Sequence, residues 1–260
     1  MNARPPLPTG RREPRVSLGS TGRCTQPILA PAGTRSALVT LPARTGKTRL
    51  ALHAAMHWTG PVFLLLEEAY TGYAEPAPSR SDGLLDALPF RLRDLPASAP
   101  GDWLFYEAPG LLAAGHKVVL DASWCQHLGT TLSDGLQGLL HELARITRSG
   151  PPILVILDGL GHHLPAVDLP AVQRAAALIP DLTLLALTCA PSLLGEAWVR
   201  AAAQSDLVLV HELVRSSEPR LADLLRRDRP GAPDAAYLST GTGPVDGRQW
   251  SVLPRYTPVP

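Results

Sequence analysis

The stretch Ser36–His53, SALVTLPARTGKTRLALH, passes from an apolar run (Ala37-Leu38-Val39-Thr40-Leu41) through a turn into Thr45-Gly46-Lys47-Thr48. Beyond the turn, Leu50, Ala51, Ala54 and Ala55 recur at helical spacing. Strand, turn, Gly-Lys-Thr and helix together have the layout of a phosphate-binding loop. Successive backbone N–H groups and the positive end of the helix surround an anionic phosphate. Ala43, Arg44, Thr45, Gly46, Lys47, Thr48 and Arg49 are therefore the candidate nucleotide-binding residues. Lys47 is expected to reach the outer phosphates and the Thr48 hydroxyl to hold Mg²⁺. The full consensus asks for a glycine five residues before Gly46, where this chain has Leu41.

Working outward, Pro61–Leu66 (PVFLLL) is a short apolar run after Gly60 and reads as a buried parallel strand. It ends in Glu67-Glu68, at the sheet edge where open α/β folds bind their ligands. Either carboxylate there could orient and deprotonate an attacking water, or simply turn into solvent. Lys117–Asp121 reads as another strand. Ser133 is expected to cap a helix whose apolar face is Leu136, Leu139, Leu140, Leu143 and Ile146. The most hydrophobic strand, Ile153–Leu157, closes with Asp158, 111 residues past Lys47. A carboxylate at that position is the usual partner of a phosphate loop and would hold Mg²⁺ beside Thr48.

Further apolar runs at Leu182–Leu187 and Asp206–Val210 alternate with helical segments near 170–178 and 196–204. Two weaker strands follow near Ala235–Ser239 and Trp250–Leu253. Alternation of this kind predicts an α/β fold, a mostly parallel sheet with helices on both faces. Residues 1–35 are rich in Pro, Arg, Gly, Ser and Thr, and are expected to be a disordered arm. The arm holds six Arg and one Glu, a local +5 that leaves −4 for the rest of a chain of net charge +1. The expected division is thus an arm at 1–35, an ATPase domain at 36–253 and a tail at 254–260.

Cys24, Cys125 and Cys189 are isolated thiols without metal-ligand spacing, which fits a reducing compartment. His162-His163 and Cys125-x-His127 lack the second pair that a zinc site needs. No apolar run approaches the ~20 residues that span a bilayer. Met1–Arg15 lacks the apolar core of a secretory signal. A cytoplasmic protein without membrane partners is expected.

The order of these motifs resembles the motor domain of DnaB-type replicative helicases and the wider RecA-like class, including small plasmid helicase ATPases. The similarity runs over about residues 30–253. ALVTLPARTGKTRLAL looks like the start of that domain, and those helicases also tend to lack the first glycine of the loop. VFLLLEEA resembles their second strand, which implies that Glu67 is catalytic, with Glu68 as the fallback. VVLDASWCQHLGTTLSDGLQGLLHELARI is similar to their third strand and long helix, and ILVILDGLG to their metal-binding strand with Asp158. LTLLALTCAPS looks like the strand with a polar sensor end, and SDLVLVHEL like the next.

Two positions depart from the family. Thr188-Cys189 stands where the family carries Ser-Gln, and Tyr237-Leu-Ser-Thr-Gly241 lacks the late Lys and Arg that reach a neighbour's nucleotide. Arg226, Arg227, Arg229 and Arg248 are the candidate substitutes. The family's separate N-terminal helical domain is not expected here.

What the resemblance implies is a RecA-like P-loop ATPase that binds ATP and Mg²⁺, with Lys47 and Glu67 catalytic and Thr48 and Asp158 on the metal. A ring or filament of identical subunits and single-stranded DNA are the implied partners. A nucleotide-binding scaffold with little turnover is the competing reading, since the late Lys/Arg pair is missing. A small-molecule kinase is disfavoured, because no arginine cluster follows a recognisable substrate pocket.

Overall fold

The computed structural model describes residues 15–22, 26–66, 108–121, 132–146, 151–160, 167–189, 195–225 and 231–258. The strands are β1 (Ser17–Thr21), β2 (Gln26–Leu29), β3 (Ser36–Thr40), β4 (Val62–Leu66), β5 (Lys117–Asp121), β6 (Ile153–Leu160), β7 (Leu182–Thr188), β8 (Leu207–His211), β9 (Ala236–Thr240) and β10 (Ser251–Leu253). The helices are α1 (Lys47–His57), α2 (Ala108–Ala113), α3 (Leu132–Ile146), α4 (Leu169–Ala176), α5 (Glu196–Gln204), α6 (Glu212–Ser217) and α7 (Pro219–Leu224).

Strands β3 to β10 form one sheet in the order β10-β9-β8-β3-β7-β6-β4-β5. From β8 to β5 every neighbouring pair is parallel, which makes six parallel strands. Strands β9 and β10 extend the β8 edge in antiparallel fashion. Strand β7 lies between β3 and β6, so the phosphate-loop strand and the Asp158 strand are next-but-one neighbours.

Alternation along β3 explains why both faces must be covered. Leu38 packs into one core cluster, while Ala37 and Val39 pack into the other. On the first face lie α2, α3, α4 and α5, with Leu136, Leu139, Leu140 and Leu143 of α3 buried as their spacing predicts. On the second lie α1, through Leu50, Ala51 and Leu52, and the β1–β2 pair, through Leu18 and Ile28. Each fully buried Leu contributes about 1.5–3 kcal/mol by leaving water. Lys117 Nζ donates to the Ala55 and Met56 carbonyls, 2.7 and 3.1 Å, and so closes the C-terminal end of α1 with positive charge.

Two sequence expectations need correcting. Ser17–Thr21 and Gln26–Leu29 are not featureless arm but an antiparallel strand pair packed on α1, because Leu18 and Ile28 are buried in the core there. Ser133 lies inside α3 rather than capping it. Its Oγ accepts from the Asp168 backbone N–H at 3.3 Å, which ties α3 to the start of α4. Among the described residues, no helix is long and apolar enough to cross a membrane.

Candidate functional site

The phosphate loop joins the end of β3 to the start of α1. Its entry is fixed by Leu41, whose N–H donates to the Thr188 carbonyl at 2.9 Å and whose side chain is fully buried. The absent consensus glycine is accounted for here. Leu41 is not among the positive-φ residues, and its side chain belongs to the core cluster around α1. The Thr45 hydroxyl donates to the Pro42 carbonyl at 2.7 Å and closes the turn on itself.

Left-handed backbone falls at Arg44 (φ 62) and Gly46 (φ 102). Gly46 is the N-cap of α1, and its carbonyl accepts from the Leu50 N–H at 2.9 Å, starting the helical ladder. A φ of 102 is strained for any residue with a Cβ, so the turn calls for glycine at this position. Ala43, Arg44 and Arg49 are exposed, whereas Lys47 is 6% exposed at the first helical position.

Thr48 Oγ1 donates to Asp158 Oδ2 at 2.6 Å. Asp158 is completely buried, near the end of β6. Between Leu157 and Leu160 the β6 register against β7 slips: Leu157 pairs with Ala186 but Leu160 with Thr188. The extra residue is the signature of a bulge, which re-aims side chains near a sheet end. Just beyond it, Thr188 Oγ1 donates to the Leu160 carbonyl at 2.7 Å, so the ends of β6 and β7 are tied at the same edge. A hydroxyl and a carboxylate in contact at a helix start are the hard oxygen donors that Mg²⁺ takes, so the residues present fit that ion.

Placement of the other sequence candidates is mixed. Glu67 and Glu68, Arg226, Arg227 and Arg229, His162-His163 and the Cys125–His127 pair lie outside the described residues. Cys189 is half-buried at the end of β7. Arg248 is no candidate for completing a neighbour's site. Its Nη2 donates to the Ala202 and Ser205 carbonyls at 2.6 and 2.7 Å, and its Nε to the Gly243 carbonyl at 3.2 Å. The Ala202 and Ser205 carbonyls end α5, which leads into the start of β8 at the sheet edge opposite the phosphate loop. Among the described residues, no group of three or more His, Cys, Asp and Glu could hold a metal ion.

Sequence reasoning missed one neighbour of the loop. Pro258 lies against Gly46, its Cβ 3.9 Å from where a Gly46 Cβ would stand. A Pro-rich tail carries no period that would have announced it.

Loop, strand order and sheet edge together define an α/β fold of the RecA-like P-loop nucleotide-binding class. Several solved structures resemble the chain at low sequence identity. The cytoplasmic domain of the Thermomonospora curvata type VII secretion ATPase EccC matches at 13% identity and a TM-score of 0.50, over 94% of this chain and 26% of that one. EssC (ATPases 2 and 3) from Geobacillus thermodenitrificans matches at 14% identity and a TM-score of 0.49, over 95% and 42%. EscN from the type III secretion system of enteropathogenic E. coli matches at 15% and 0.38, over 83% and 52%. This chain thus spans from about a quarter to about half of those chains. At such identity the likeness to EccC speaks to fold alone. No protein-family model matches the chain, and no curated protein matches it in sequence.

Proposed function

We propose that this chain is a Mg²⁺-dependent ATPase of the RecA-like class, built on residues 36–253, and that it works in the cytoplasm as a homo-oligomer. The observation that carries the reading is the contact between Thr48 Oγ1 and Asp158 Oδ2, 2.6 Å, beside the buried Lys47 at the head of α1. Mg²⁺, when bound, would supply positive charge to the phosphate oxygens. Thr48 and Asp158 would hold that ion, and the N–H groups of residues 43–49 would cradle the phosphates. Lys47 neutralises charge that grows in the transition state. Glu67, the residue that follows β4 in sequence, orients the attacking water and takes its proton.

A second reading, a nucleotide-binding scaffold with little turnover, is supported by Thr188-Cys189 in place of a polar sensor pair. It is also supported by Tyr237, which stands where a Lys/Arg-bearing segment is expected and is fully buried. Single-stranded DNA is the proposed partner of the motor reading, on the strength of the helicase resemblance.

The deciding experiment is ATP hydrolysis titrated against protein concentration and single-stranded DNA, with Lys47→Ala as control. A motor acting on DNA gives turnover that rises with both and vanishes in the variant. Turnover that rises with protein alone keeps the ATPase and removes DNA. ATP binding without turnover under every condition selects the scaffold.

A further inference from the structure

Residues 254–258 are stitched to β1 and end against the phosphate loop. Ser20 and Thr257 exchange backbone hydrogen bonds of 2.8 and 2.9 Å, and their hydroxyls meet at 2.7 Å. The Thr21 hydroxyl and the Gly22 N–H both reach the Pro254 carbonyl, at 2.5 and 3.0 Å. Tyr256 is buried, and its Oη donates to the Leu18 carbonyl at 2.8 Å. Gly19 is packed so tightly here that a Cβ would stand 2.3 Å from the Thr257 carbonyl oxygen. Six hydrogen bonds between two distant parts of the chain thus hold Pro258 beside Gly46.

The sheet order says which part of a nucleotide this segment would meet. Asp158 and Thr48 mark the terminal-phosphate end, and Asp158 reaches the loop from β6, on the β7 side of β3. The other side of β3 is β8, followed by β9 and β10. Residues 254–258 follow β10 directly, and Tyr256 packs edge-on to His211 at the end of β8, with ring centroids 6.0 Å apart. A nucleotide whose outer phosphates point toward Asp158 sends its ribose and base the opposite way, toward this segment.

Positive φ recurs in both segments. Among the described residues, two without a glycine's freedom have positive φ, Arg44 in the loop and Arg255 (φ 52) in the segment. Both are exposed. Such outliers persist where the surroundings over-determine them, and they cluster at ligand sites.

We propose that residues 255–258, pinned by β1, are the nucleoside wall of the phosphate-loop site. Pro258 faces the ribose–base end and Arg255 is the cation beside it. The proposal rests on the phosphate-loop reading above, and the test separates the two. Binding of Mg-ATP and of Mg-tripolyphosphate, which has no nucleoside, is measured by calorimetry on the full chain and on the Arg255→Gly and Pro258→Ala variants. Glycine suits φ 52, so the first change removes the side chain without adding strain. Both variants are expected to bind ATP about tenfold more weakly, with tripolyphosphate affinity unchanged. Equal losses for both ligands, no loss for either, or tighter binding of both overturns the wall and leaves the phosphate loop intact. A wild-type chain that binds neither ligand overturns the phosphate-loop reading and the wall with it.

Discussion

Thr48 and Asp158, 110 residues apart in sequence, meet through a 2.6 Å hydrogen bond in which the hydroxyl donates to a fully buried carboxylate. Thr48→Ala and Asp158→Asn are therefore expected to act on one event. Each should weaken Mg²⁺-dependent ATP binding by at least about tenfold, the scale on which groups that support a metal act. The double variant should lose little more than the worse single, because contacting residues with a shared role are not additive. Titration of ATP with and without Mg²⁺ checks this. Full additivity would mean that the two residues serve separate purposes.

Much of this arrangement is legible in the sequence. Ile153–Leu157 and Ala37–Leu41 are apolar enough to be central strands, and a phosphate loop demands a carboxylate across from its threonine. What sequence could not supply is pairing over long separations between weak signals. SLGST and QPIL contain Gly and Pro and alternate poorly, yet Leu18 and Ile28 fold them onto α1. The Ser20–Thr257 bridge spans 237 residues and joins two segments that both read as tails. Arg248 shows a different limit. Its charge suited a role in a neighbour's site, and only the carbonyls at the end of α5 show where it is spent.

Glu67 separates catalysis from binding. A carboxylate that orients water acts in the transition state and adds little to ground-state affinity. Glu67→Gln is expected to bind ATP nearly as wild type does and to hydrolyse it at least about 100-fold more slowly. Single-turnover hydrolysis beside equilibrium binding measures the split. Should Glu68→Gln be the inactive variant instead, the base is Glu68, one residue later in the sequence.

The Tyr256 hydroxyl ties residues 254–258 to β1 through the Leu18 carbonyl. Burial pushes that phenol far above its ordinary value, so it stays a neutral donor throughout the working pH range. Tyr256→Phe leaves a buried carbonyl without this donor and is expected to cost about 1–3 kcal/mol. Hydrogen exchange at the Ser20 and Thr257 amides should speed up with it, while β6 and β7 exchange as before. Unchanged exchange at both amides would mean that the backbone bridge alone holds the segment.

The last prediction concerns acid stability. Glu212, Arg215 and Tyr237 are all buried at the end of β8. Arg215 grips the Glu212 carboxylate with two bonds of 2.7 and 2.8 Å, and the Tyr237 hydroxyl adds a third at 2.5 Å. Burial alone would raise the Glu212 carboxyl, but the bonds from Arg215 and Tyr237, the Arg215 charge and the Gly231 N–H outweigh it and hold it below its ordinary 4.5. A carboxyl lowered by folding stabilises the native state fully above its unfolded value, and that contribution drains as pH falls through the folded one. Wild type should therefore lose this contribution progressively as pH falls below 4.5. Glu212→Gln has no charge to lose there, so its urea midpoint should fall less between pH 5 and pH 3. Arg215→Met leaves the carboxylate buried without its partner and should cost about 3–5 kcal/mol at pH 7. In that variant protonating Glu212 relieves the unpaired charge, so the deficit relative to wild type should shrink on acidification. A deficit that stays constant from pH 7 to pH 3 would show that Arg215 acts through packing rather than charge.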